Sequence, residues 1–507
     1  MPVILLLSLI AQSNGEAAPV ERPNILFLFA DDLGFGDLAC YGNPLAQTPH
    51  CDRLAREGAR FTRFTVASGV CSPSRTAAMT GQFPSRHRIW GHFATLAQNE
   101  QRGMPHALDP DVTLITRLLQ QSGYATGHYG KWHLSSYSDT VPRPEEYGLD
   151  EAYIHNGNGD SVFDNLDDPE LLPTPPSDPE AKAVKYSRAA TEHAAQFIRR
   201  NRDQPWLVQL WLHETHQLVV ATEDEKSQYA DVPEPQRTYL ANVSRADRCV
   251  GKLLDLLDEL DLAEQTLVVF SSDNGPENSN AKPSHKLYTS VGSAGDRRGR
   301  KRSLYLGGIN VPLIVRWPGH VPEGHVDEIS ILSAVDLLPT FAAAAGVELP
   351  NDYRPDGENV LDVWRGKSRD RSRPLFWHWP AARPASPVDW PELAMQDGRH
   401  VLVLATELSD RVELYDVLAD PSQASDLADS QPQRAAEMKQ AVLDWKATLP
   451  PALMTAIKVQ DRTAMLKRSR EIERELRRGG NRSRKRDAKQ ADRPPKRRRQ
   501  PAASAAE

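Results

Sequence analysis

Residues 24–32 read "NILFLFADD", an apolar run of strand length that stops abruptly at two aspartates. Apolarity that is continuous rather than alternating belongs to a strand buried on both faces, the habit of a parallel sheet covered by helices. The pattern recurs along the chain. "WLVQLWLHETH" (206–216) carries an apolar run from Trp206 to Leu212 into His213, and "TLVVFSSDNG" (266–275) carries one from Thr266 to Phe270 into Ser271. Helical periodicity is expected over 111–121, 183–201 and 235–260. Strands alternating with helices predict an α/β fold, a large and mostly parallel sheet flanked by helices.

Sites in such sheets form at the carboxyl ends of the strands. Here those ends deliver Asp31 and Asp32, Asp273 and Asn274, His213 and His216, and, from "YATGHYGKWH" (124–133), Lys131 and His133. Any one Asp pair commonly does no more than cap a helix or a turn. Two pairs at matching strand ends bring three carboxylates together, and these repel unless a cation neutralises them. Oxygen-only ligands suit Ca2+ or Mg2+ rather than zinc. Lys131, His133, His216 and Lys301 add cationic and titratable groups, which beside a metal make sense only for an anionic substrate, a tetrahedral oxyanion ester. His50, His87 and His285 lack such placement and read as ordinary core or surface residues.

The chain of 507 residues is long enough for one large domain and a smaller companion. Residues 23–370 are assigned to the α/β domain. From 371 to 450 the runs shorten to "PLFWHWP", "ELAMQDGRHVLVLA" and "RVELYDVLADP", then a helix from 432 to 449, predicting a small antiparallel sheet with a packing helix. Residues 156–181, rich in Asp and Pro, read as an excursion loop. Residues 461–507 hold 17 Lys and Arg against 7 Asp and Glu, leaving 44 against 61 in the rest, so a basic tail follows an acidic body. The tail, 451–507, is too poor in apolar residues to order itself and is expected to be disordered, with contact to polyanions as its functional alternative. Export and the acidic body argue against a nucleic-acid role.

Residues 1–20 have the shape of a signal peptide, which predicts a periplasmic or secreted protein, and no stretch approaches the ~20 apolar residues of a membrane helix. Four cysteines, Cys40, Cys51, Cys71 and Cys249, are too few for a disulfide scaffold. If one of them is chemically consumed, the remaining three allow one bridge at most, and spacing does not say which.

"CSPSR" (71–75), with "MTG" at 79–81, resembles the first signature of the type I sulfatases, a Cys-x-Pro-x-Arg core, within the alkaline phosphatase superfamily. "GYATGHYGKWH" (123–133) is similar to the family's second signature, "ADDLGFGDLACYG" and "SSDNGPE" to its metal-binding segments, and "RGRKRSLYLGGINVPLIVRWPG" (298–319) to its late lysine segment. The matches run in family order from about residue 23 to 320, and a weaker one, "ELYDVLADPSQASDLA", continues to 428.

The resemblance implies a sulfatase that hydrolyses a sulfate ester, on a sulfated carbohydrate or a related substrate. It implies that a maturation enzyme converts Cys71 to formylglycine, whose hydrate attacks sulfur and then releases the covalent sulfate by hemiacetal collapse. It implies a calcium ion on Asp31, Asp32, Asp273, Asn274 and modified Cys71. Arg75 would hold the hydrate, Lys131 and Lys301 the sulfate oxygens, His133 the collapse step, and His216 the proton for the leaving alcohol, with His213 as its neighbour.

Two segments depart from the family pattern. Leu306 and Asn310 stand where Glu and Arg are usual, and Thr215, His216, Gln217, Leu218 replace Pro-His-x-Pro. A phosphonate or phosphate ester hydrolase of the same superfamily is the enzymatic alternative, and a non-catalytic sulfated-glycan binder the other.

Overall fold

The computed structural model describes residues 22–453 apart from 137, 139, 157–160, 165–178, 217–218, 278–289, 381–390 and 406–410. The expected signal peptide, nearly all of the basic tail, most of the 156–181 excursion, and His285, Gln217 and Leu218 lie outside the described residues. In chain order the strands are β1 (Asn24–Ala30), β2 (Ala59–Phe61), β3 (Phe64–Thr65), β4 (Ala125–Lys131), β5 (Glu151–Asn156), β6 (Ser161–Asp164), β7 (Trp206–Trp211) and β8 (Thr266–Ser272). They continue with β9 (Leu313–Arg316), β10 (His325–Asp327), β11 (Leu332–Ser333), β12 (Leu375–His378), β13 (Leu393–Asp397), β14 (His400–Leu404) and β15 (Val412–Asp416).

The main sheet has the order β10-β2-β9-β8-β1-β7-β4-β5-β6. Its centre, β8, β1, β7, β4 and β5, is parallel throughout. Antiparallel pairs appear toward the edges, β9 against β8 and β2, and β6 against β5. β1 shows why the quoted stretch decides the fold. Its residues alternate between two cores, Ile25, Phe27 and Phe29 in one and Leu26, Leu28 and Ala30 in the other. Both faces of the strand are therefore apolar, and burying each large side chain contributes about 1.5–3 kcal/mol.

Over the first face lie the helices Cys71–Thr80 and Leu337–Ala344, with the Phe341 ring 5.6 Å from Phe27 and tilted 60° to it. Over the second lie Pro179–Arg200 and Gln236–Glu259, which contribute Phe197 and Ile198, and Val250 and Leu253.

The four-stranded sheet, β12-β13-β14-β15, is antiparallel and carries the helix Pro432–Ala447. Ala435, Met438, Val442 and Trp445 face inward from that helix, and Trp445 stacks on Phe376 at 5.0 Å. The sheet shares one apolar core with the first face of the main sheet, and the buried Trp377 Nε1 donates to the Val66 carbonyl at 2.8 Å.

Helix bounds differ from the periodicity in places. The helix expected from 111 begins at Ile115, because the Asp109 carboxylate accepts from the Asp111 N–H at 2.9 Å and fixes a turn there. The helix expected from 183 already starts at Pro179, and the C-terminal one stops at Ala447 rather than 449. All four cysteines are free thiols, so the one bridge the sequence allowed is not formed. Among the described residues no helix is long and apolar enough to cross a membrane.

Candidate active site

The parallel centre of the sheet places four carboxyl ends side by side, β8, β1, β7 and β4. Asp273 and Asn274 follow β8, Asp31 and Asp32 follow β1, His213 and His216 follow β7, and Lys131 ends β4 with His133 two residues on. Cys71 opens a wholly buried helix just after Val70, whose backbone is extended. Arg75 lies four residues further, on the same helix face. Lys301 arrives from the connection between β8 and β9.

The residues expected at the site, Asp31, Asp32, Cys71, Arg75, Lys131, His133, His213, His216, Asp273, Asn274 and Lys301, lie together at this edge of the sheet. Arg75 is fully buried, donating from Nε and Nη2 to Asp273 Oδ2 at 2.9 and 2.6 Å and from Nη1 to the Lys131 carbonyl at 3.1 Å. Its guanidinium also lies 4.9 Å over the Trp211 ring. Lys131 donates to Asp31, and Lys301 to Asp32 at 2.6 Å. Asn274 Nδ2 donates to Asp32 Oδ1 at 2.7 Å.

His213, which the resemblance gives only as the neighbour of His216, donates from Nδ1 to Asp31 Oδ2 at 2.7 Å, whereas His216 Nε2 stands 3.8 Å from Asp32. The His133 ring bonds the Phe93 carbonyl through Nε2 at 3.0 Å. Asp32 and His133 adopt left-handed backbone, φ 61° and 55°, an uncommon conformation that recurs at functional sites.

Three buried carboxylates, Asp31, Asp32 and Asp273, face three buried cations, Arg75, Lys131 and Lys301. Compensation among them is uneven. Burial would raise Asp31, but the Lys131 ammonium, with the His213 hydrogen bond, holds it well below the usual carboxylate range. Burial raises Asp32 against the pull of Lys301, and burial with Asp31 beside it raises Asp273 well above. Burial and the cations Lys131 and Lys301 keep His216 neutral, and burial pulls His213 down to about 4.

Two buried oxygens, Asp31 Oδ1 and Asn274 Oδ1, have no hydrogen-bond partner, a costly state for polar atoms unless something electropositive meets them. Ligand atoms of Asp31, Cys71 and Asp273 lie within 4.8 Å of one another. The orphaned oxygens and the oxygen donors of Asp31, Asp32, Asp273 and Asn274 fit a hard divalent cation, with the Cys71 sulfur as the one soft atom beside them. A dication added to this balanced set would leave net positive charge for an anionic substrate.

Several nearby groups escaped the sequence. His155, at the end of β5, packs edge-on to His213 at 5.1 Å between ring centroids. Glu277 accepts both contacts from Arg302 Nη1 at 2.7 Å and stands 3.9 Å from Lys301. "DNGPE" contains Glu277, and its place directly behind two ligand candidates is the signal that could have found it.

Comparison with known proteins agrees with this chemistry. The Sulfatase family model matches residues 23–347, and the model for the N-sulphoglucosamine sulphohydrolase C-terminal region matches 299–447. Human arylsulfatase A is 31% identical over 382 residues, covering 71% of each chain. Human N-acetylgalactosamine-6-sulfatase is 32% identical over 387 residues, covering 72% of this chain and 70% of that one.

In architecture the chain resembles the crystal structure of Ps i-CgsB in complex with k-i-k-neocarrahexaose, with TM-score 0.74, 22% identity, and 88% and 98% of the two chains covered. It also shares a fold with the phosphonate monoester hydrolase of Agrobacterium radiobacter, with TM-score 0.56, 18% identity, and 85% and 96% covered. The chain belongs to the sulfatase family, within the alkaline phosphatase superfamily, and is a sulfuric ester hydrolase.

Proposed function

We propose that this sulfatase removes sulfate from a sulfated carbohydrate, with formylglycine made from Cys71 as nucleophile and calcium held by Asp31, Asp32, Asp273, Asn274 and modified Cys71. The observation that carries it is the clustering of the Cys71 sulfur with the Asp31 and Asp273 carboxylates, at the start of the helix that also presents Arg75. Calcium supplies charge neutralisation and acidifies the nucleophile. The remaining work falls to the chain. Arg75, locked by Asp273 and Trp211, holds the nucleophile's position and offsets negative charge. Lys131 and Lys301 are strong donors for the sulfate oxygens. His133 presents a ring oriented by Phe93 to the hydrate, and His216 hands a proton to the leaving alcohol once sulfate charge opposes the two lysines.

Carbohydrate is favoured because N-acetylgalactosamine-6-sulfatase is among the relatives and the Ps i-CgsB structure holds a neocarrahexaose. Residues 23–370 form the catalytic domain and 371–450 the accessory subdomain in this proposal, and export to the periplasm or medium brings the enzyme to polymeric substrate. A maturation enzyme acts on the Cys71 motif.

The test is mass spectrometry of the peptide spanning residue 71, from a host able to make formylglycine, paired with sulfate release from an aryl sulfate. The expected results are a mass about 18 Da below that of cysteine, and a fall in sulfate release of about 10⁴-fold or more on Cys71→Ala. An unmodified thiol in active enzyme would overturn the nucleophile. Cleavage of phosphonate diesters without sulfate release would overturn the substrate class.

A further inference from the structure

A cavity of about 470 Å³ lies outside the catalytic cluster, built by β2, the β2–β3 connection, the segment that follows Lys301, β13 and the turn after β15. Three of its lining residues are arginines, Arg60, Arg63 and Arg297, and Glu328, exposed at the rim, is the one acidic residue lining it among the described residues. Arg297 lies 3.2 Å over the Phe35 ring, donates from Nε to Asn310 and reaches the exposed Asp296 at 2.7 Å. The Arg60 guanidinium donates to the Cys40 carbonyl and lies 5.2 Å over Tyr41.

Arg63, half-buried, has neither a side-chain hydrogen bond nor an ion pair among the described residues. The acidic groups near it are Asp327, Asp416 and Glu328, with Arg399 opposing them. Asp327 is already engaged by Ser330 at 2.8 Å and Ser368 at 2.9 Å, and Asp416 by Arg399 at 2.5 Å.

Arginines elsewhere in the interior behave differently. Arg75 and Arg371 are pushed down by burial, but their carboxylate partners more than restore them. Burial prevails at Arg63, which is lowered, and at Arg297, lowered to about 10. The cavity thus holds one arginine, Arg63, with no anionic partner among the described residues, beside Arg297, whose carboxylate contact is the exposed Asp296. Gln396 lines the cavity too, is 5% exposed and leaves its Oε1 without a hydrogen-bond partner. The two positions where the late lysine segment departs from the family pattern, Leu306 and Asn310, both line this cavity.

We propose that this cavity is a non-catalytic subsite for a sulfated saccharide, its sulfate gripped by Arg63 and Arg297 and a sugar hydroxyl donating to Gln396 Oε1. Guanidinium forks match sulfate oxygens geometrically, and a desolvated cation lacking its counter-charge gains most from such an anion. The site would hold a polymeric substrate at a second point, raising its effective concentration at the catalytic cluster.

Calorimetric titration tests this with a monosulfated disaccharide, inorganic sulfate and the unsulfated disaccharide, on protein carrying Cys71→Ala to prevent turnover. Two sulfated-disaccharide binding events per chain are expected, one of them weakened about tenfold or more by Arg63→Gln and also weakened by Gln396→Leu. Turnover of a small aryl sulfate, measured in chains that keep Cys71, reports on the catalytic cluster separately and is expected to be unchanged by Arg63→Gln. A single binding event, or two events that both survive Arg63→Gln, overturns the subsite. Inorganic sulfate binding as tightly as the disaccharide, with no effect of Gln396→Leu, overturns the saccharide and leaves a site for the free anion.

Discussion

At the carboxyl edge of the main sheet, Asp31, Asp32, Asp273, Arg75 and Lys131 are all fully buried, and each is held in place by charge. In the four-stranded sheet the positions buried to the same degree are Leu375, Leu393, Ala394, Leu402 and Leu414. The first region is specified by compensation, because a buried charge that loses its partner is far more costly than the pair is stabilising. The second is specified by volume and tolerates change in proportion to the cavity left behind. Local substitutions should therefore fail in different ways in the two regions.

Arg75→Met gives the largest contrast. It strands Asp273 beside Asp31 and should cost about 3–5 kcal/mol of stability, along with nearly all sulfate release. Adding Asp273→Asn should restore much of the stability and none of the activity, since the stranded charge is gone but a proposed metal ligand has gone too. Denaturant melts of the two single variants and the double variant check this. Equal stability of Arg75→Met and the parent would mean that the arginine does not compensate the carboxylates.

Trp377→Ala, in β12, should cost a comparable or slightly smaller amount, about 3–5 kcal/mol, by opening a cavity and freeing the Val66 carbonyl. Here kcat/KM per folded molecule should stay within about twofold. A large loss of kcat in fully folded protein would break the comparison, showing that the small sheet shapes the nucleophile's helix through Val66.

The two regions also differ in how far the sequence betrays them. β1, β7 and β8 announce themselves because double-sided burial leaves unbroken apolar runs, and the polar residues that follow each run, at once in β1 and β7 and two residues on in β8, reach the site. The C-terminal hairpins were legible from short runs with turns between them. The short strands at the β9 border of the main sheet were not. β2 and β10 are three residues each, too short for periodicity, and pair only because β9 presents an edge to β2 and β2 one to β10. Glu277, Arg302 and His155 were missed for a related reason. A single polar residue in a connection has no pattern around it, and only the fold says what it faces. His213 was undervalued because spacing cannot tell which of two histidines in "HETH" turns toward Asp31.

The regions are not independent, and the smallest predicted effect tests where they join. Glu413 on β15 is 3% exposed and accepts from Tyr305 Oη at 2.6 Å, Tyr415 Oη at 2.6 Å, Arg298 at 3.2 Å and Arg411. Gln423 accepts the Leu306 N–H at 2.7 Å. The segment from Arg298 to Leu306, which carries Lys301, is therefore tied at both ends to the four-stranded sheet. Tyr305→Phe removes one of the donors to Glu413 and leaves the others, so it should cost about 1 kcal/mol of stability. If the tie also positions Lys301, KM for a sulfate ester should rise severalfold while kcat holds, because the lysine would grip ground state and transition state alike less well. If KM does not move while stability falls as expected, Glu413 serves the junction alone, and the lysine is positioned by Asp32 and by the Lys301 N–H bond to the Pro276 carbonyl at 3.0 Å.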